Sequence, residues 1–159
     1  MNVFYVLFIG FIGVVNIDLI SIRSAFQKAD ESQAKTEELY NSLKDYEKKD
    51  PVLLAYKGAA YSLRARFEPN RQLKKKLFTT GAHTLESAVA AAPNNLEIRL
   101  LRLIIQENAP KIVKYNSHIA EDKKLIVNNF SKQTTEVKAV IRAYAKRSKV
   151  LTTEELKNL

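Results

Sequence analysis

His83 and His118 are the two histidines of a 159-residue chain that contains no cysteine. They stand 35 positions apart, with no His-x-x-x-His pair, so they lack the ligand spacing of a tetrahedral zinc site and would have to recruit carboxylates from distant positions. Carboxylate neighbours occur at Asp30-Glu31, Glu121-Asp122 and Glu154-Glu155. Each pair falls at a helix start or on a polar face, where negative charge favours the helix dipole rather than acid-base chemistry. No Gly-rich phosphate loop, Ser-centred elbow or His-Asp relay is visible, although a triad assembled in space leaves no local trace. The absence of cysteine excludes disulfides, thiolate metal sites, cysteine nucleophiles and a lipid-modified N-terminal Cys. The residues therefore point to a protein without catalytic site, metal or cofactor.

Charge offers more. Lys and Arg number 26 against 17 Asp and Glu, a formal net charge of +9 that suits an anionic partner. The cations gather in two clusters, Arg64-Arg66-Arg71-Lys74-Lys75-Lys76 and Lys138-Arg142-Lys146-Arg147-Lys149. From them Arg71, Lys74, Lys75, Lys76, Lys146 and Arg147 are candidate contacts to an anionic membrane or cell-envelope surface. Nucleic acid is the disfavoured partner, because Tyr61, Phe67, Tyr115 and Tyr144, which could stack on bases, fall at core spacing. A third set, Arg99, Arg102 and Gln106, forms a polar stripe on an otherwise apolar segment. Charged residues on a buried helix must reach solvent or find partners, so the first reading is ion pairing or exposure, and the second is a contact strip for a peptide or acidic group.

The elements that must position these residues are helices. Gly and Pro number four each, and the apolar residues recur at three- and four-residue steps. At the front, Val3 to Val15 is an uncharged apolar run of signal-peptide length, interrupted by Asn16 and Asp18 before it could span a bilayer. It predicts a leader over 1–20, cut between Val15 and Ser21, and an exported protein, periplasmic or secreted, with an uncleaved anchor as the lesser reading. Residues 21–159 then form one domain. Ile22, Phe26 and Ala29, then Leu39, Leu43 and Tyr46, predict one kinked helix or two short ones. Asp50-Pro51 supplies an N-cap and a first-turn proline for a helix that stops before Glu68-Pro69-Asn70. Further helices are expected over Arg71–Ala92, with Leu73, Leu77, Phe78 and Leu85 inward, over Leu96–Glu107 as the central element, and near Ser117–Phe130 and Thr135–Ser148. Thr152-Thr153-Glu154-Glu155 has capping-box form and predicts a short last helix.

Gly81, Leu85, Ala88 and Pro93 resemble the second helix and turn of a tetratricopeptide repeat: a small residue, a large apolar one four on, Ala three later, Pro five after that. Arg102 stands where that pattern wants a small residue, and the earlier echo at Asp50-Pro51 lies 42 residues before Pro93, longer than the period of about 34. With IRSAFQKA and EIRLLRLIIQENAPKIVKYN the chain also resembles a group of short exported bacterial proteins of this helical type. The resemblance implies an all-α fold of six or seven helices in antiparallel hairpins, tetratricopeptide-like but degenerate, and an envelope location. In open arrays of that kind the groove face would here carry Glu97, Leu100, Ile104 and Glu107. Leu100 and Ile104 are too apolar to stay wet, so a flanking helix should cover them and close the array into a bundle. Action through protein or peptide contacts follows as the expected function, with binding to anionic surfaces through the Lys/Arg clusters as the alternative.

Overall fold

The computed structural model describes residues 18–47 and 49–157. The apolar run Val3–Val15, and with it most of the expected leader, lies outside the described residues. The remainder is all-α: α1 (Leu19–Lys28), α2 (Gln33–Leu43), α3 (Pro51–Arg64), α4 (Arg71–Ala91), α5 (Leu96–Asn108), α6 (Ile119–Asn129) and α7 (Thr135–Ala145). Short polar side chains start most of them by accepting the free backbone N–H groups of the first turn. Asp18 caps α1, Ser32 α2, Asp50 α3, Asn70 α4, Asn95 α5 and Thr134 α7. The segment after Phe26 resolves into two helices because Asp30 and Glu31 occupy a turn and Ser32 opens a new helix.

The α3–α4 pair packs with its backbones almost touching. A Cβ on Gly58 would lie 2.7 Å from the carbonyl oxygen of Gly81, and a Cβ on Gly81 would lie 2.5 Å from that of Gly58. Neither helix tolerates a larger residue there without moving apart, which is why glycine occupies helix interiors it would otherwise weaken. Leu85 and Ala88 follow Gly81 into the core.

α5 lies at the centre, with every residue from Leu96 to Gln106 buried. Leu100 and Ile104 are covered. Arg23 of α1 reaches Glu97 at one end of that face, and Tyr144 of α7 reaches Glu107 at the other.

Two expectations fail locally. Leu73 is 42 % exposed, because it belongs to the first turn of α4, where the neighbouring residues Arg71 to Lys76 are all exposed. The capping box at Thr152 forms, with the Thr152 N–H donating to Glu155 Oε2 at 3.0 Å and the Glu155 N–H donating to Thr152 Oγ1 at 3.4 Å, but residues 153–157 make turns and no helix. One turn returns too few hydrogen bonds for the dihedrals it fixes. Buried Leu151 and Leu156 hold the segment instead.

Candidate functional site

The Arg99, Arg102, Gln106 stripe faces α6 and is buried. Arg102 donates through Nε and Nη2 to the two oxygens of Asp122, at 2.8 and 2.7 Å, and through Nη1 to Glu86 at 2.8 Å. Arg99 donates to Asp122 at 2.9 Å, to Glu121 at 2.7 Å and to the carbonyl of Pro93 at 2.6 Å. Gln106 accepts the backbone N–H of His118 at 3.0 Å. Two guanidinium groups are thus neutralised around one fully buried carboxylate, with Glu86 and Glu121 completing the balance from the rim. Burial works against the charge of Arg102, but the hydrogen bonds and charges of Asp122 and Glu86 raise its pKa above the ordinary value. The bond from Arg99, with that of His118, holds the Glu121 carboxyl below the usual range. Tyr115, pushed up by burial and then by Glu86, stays protonated and donates to Glu86 at 2.6 Å. The Arg102 guanidinium thus spans from Asp122 on α6 to Glu86 on α4.

A second buried group sits at the other side of α5. Glu97 accepts from Nε and Nη2 of Arg23, each at 2.7 Å, and from the Tyr56 hydroxyl at 2.7 Å. Burial, then the Glu97 charge, keeps the Tyr56 proton on. Neither cluster offers a free base, nucleophile or ligand set, and among the described residues no group of three or more His, Asp or Glu could hold a metal ion.

An open groove of about 1500 Å³ lies among α3, α4, the end of α5 and the end of α7. Leu63, Phe78, Ile104, Ile105 and Tyr115 contribute its apolar floor, and Phe78 meets Tyr115 edge-on at 5.9 Å between ring centroids. At its mouth the 3-10 turn Lys111–Val113 leaves Ile112 87 % and Val113 40 % exposed. Lys114, left-handed at φ 51°, ends that turn and redirects the chain. Arg66, Arg71, Lys74, Lys75 and Lys149 line the rim, and none of them has an ion-pair partner among the described residues. The carboxylates that also line it are engaged. Glu86 holds Arg102 and Tyr115, Asp30 holds Arg147 at 2.5 Å, and Glu107 accepts from Tyr144, Ser148 and the Lys149 backbone. Burial pushes the Glu107 carboxyl up, but these donors outweigh it and hold it below the usual range.

The basic residues singled out in the sequence are therefore divided. Arg71, Lys74 and Lys75 line the groove, as does Arg147 in its pair with Asp30, whereas Lys76 is exposed outside it and Lys146 lines a separate hollow beside α7. Arg64 leaves the cluster altogether, bound to Glu37 at 3.1 Å and Glu68 at 2.5 Å. His83 lines the groove and His118 pairs with Glu121 at 3.1 Å. Sequence reasoning missed Ile112 and Val113, which it left in a linker, and the role of Asp122. The signal for Asp122 was present: Ile119, Asp122, Ile126 and Phe130 follow one another at core spacing, so an acid stands on the inward stripe of α6. Comparison with protein-family models, with curated proteins and with solved structures finds no match.

Proposed function

We propose that this is a non-enzymatic helical binding module whose groove takes an amphipathic, acidic segment of a partner protein. The observation that carries the reading is the conjunction of an apolar floor with Arg66, Arg71, Lys74, Lys75 and Lys149, rim cations without ion-pair partners among the described residues. An apolar stripe on a partner helix would fill the floor, and carboxylates flanking that stripe would meet Arg71, Lys74 and Lys75. The volume, about 1500 Å³, exceeds the roughly 300–1,000 Å³ typical of small-molecule pockets, which favours several side chains of a peptide over a metabolite. Exposed Ile112 and Val113 extend the apolar surface at the mouth, as interaction sites commonly do. Export stands beside this proposal on the Val3–Val15 run alone, and a native chain that retains Met1 counts against it.

A fluorescent Glu/Leu-patterned amphipathic peptide is the test probe, with a Lys/Leu peptide of the same pattern as its control. The acidic peptide should bind and the basic one should not. Ile112→Asp with Val113→Asp should weaken binding about tenfold or more, the equivalent of one lost apolar anchor. Equal binding of both peptides, or of neither, defeats the reading.

A further inference from the structure

Four of the cations outside the groove gather around one hollow. Lys138 and Arg142 on α7 and Lys146 at its C-cap follow one another at four-residue steps, roughly 6 Å apart along the helix axis, and Lys157 joins them around a hollow of about 580 Å³. No carboxylate lines this hollow, and none of the four cations has an ion-pair partner among the described residues. The acids nearby in sequence are Glu136 in the first turn of α7, Glu155, paired with Lys123 at 2.7 Å, and Glu154, which accepts from the hydroxyl of hollow-lining Thr153 at 3.2 Å. The Arg142 guanidinium lies 5.0 Å over the Phe130 ring, a stacking that favours one orientation of its planar fork. The hydroxyl-bearing residues Ser131 and Thr153 also line the hollow.

We propose that this face of α7 binds the phosphate headgroups of an anionic lipid bilayer. A stacked guanidinium beside ammonium groups suits phosphate oxygens. The row from Lys138 to Lys146 runs about 12 Å, farther than one phosphate can reach, whereas a bilayer presents many. Single-stranded nucleic acid fits less well, because binding of that kind uses free aromatic faces for base stacking. Phe130 here is 2 % exposed and covered by Arg142. The site is independent of the peptide groove.

Co-sedimentation of the chain with vesicles of phosphatidylglycerol and phosphatidylcholine, against phosphatidylcholine alone, tests it. Binding should require the anionic lipid and weaken as salt rises. Lys138→Gln, Arg142→Gln and Lys146→Gln together should lower affinity about a hundredfold, at about fivefold per charge near an anionic leaflet. Arg71→Gln, Lys74→Gln and Lys75→Gln remove the same charge from the groove and should cost about fivefold or less. Lys138→Arg with Lys146→Arg should retain binding, separating loss of charge from loss of fold. The proposal is overturned by equal loss in the two triple variants, by unchanged binding in the α7 variant, or by a parent that ignores anionic vesicles. Calorimetric uptake of inorganic phosphate, or capture of single-stranded DNA, by a parent that binds no vesicle overturns it in favour of a lone-anion or nucleic-acid site.

Discussion

The two sides of α5 treat cations in opposite ways. Toward α6, Arg99 and Arg102 are buried and every nitrogen that points inward meets Asp122, Glu86, Glu121 or a backbone carbonyl. Toward the groove, Arg71, Lys74, Lys75 and Lys149 stand exposed around an apolar floor with no such partners among the described residues. The residue types are alike. Water accounts for the difference: an exposed cation keeps its hydration and stays available, whereas a buried one must be matched within the fold or not be buried at all. Charge that the fold has already neutralised is architecture, and charge it has left over is what a partner can use.

The sharpest way to break this comparison is at Asp122. Asp122→Ala leaves two guanidinium groups buried with only peripheral acids and should cost about 3–5 kcal/mol in urea denaturation. A loss below about 1 kcal/mol would mean that the stripe is not held internally. Acid should have an intermediate effect. Glu107 and Glu121 have pKa values below the ordinary 4.5, so the stability they give is complete above that value and is lost as pH falls through their lower folded-state values. Urea midpoints should hold near neutrality and decline below about pH 4.5; a flat profile down to about pH 3 would remove both carboxylates from the stability argument. The smallest effect belongs to the groove. Arg71→Gln, Lys74→Gln and Lys75→Gln together should shift stability by no more than about 0.5 kcal/mol, as exposed changes do. A larger loss would show that these cations also serve the fold.

Helix type and position were legible in the residues because caps and periodicity act locally. Asp50-Pro51 and Asn95 start α3 and α5, and the core stripe of α5 runs from Ile98 to Ile105. What the sequence could not supply is which element lies opposite which. The pairing of Arg102 with Asp122, of Arg23 with Glu97 and of Tyr144 with Glu107 joins residues 20, 74 and 37 positions apart, and nothing local marks them as partners. The groove was illegible for the same reason: its floor and rim come from α3, α4, α5, α7 and the two 3-10 turns Ala65–Phe67 and Lys111–Val113. Leu73 shows the reverse error, an apolar residue at core spacing on a turn that nothing covers.

The glycine contact between α3 and α4 has a mechanical side. Gly58 and Gly81 bring the two backbones within van der Waals reach of each other in the middle of the 21-residue α4. From that fulcrum the basic arm back to Arg71 extends about 15 Å, a lever whose far end carries the groove's cations. At the glycines backbone meets backbone, with the Ser62 hydroxyl seated against Gly81 and donating to the Gly58 carbonyl at 3.0 Å. A larger residue at either glycine would push α4 away from α3, so where the groove's cations stand depends on two residues that do not line it.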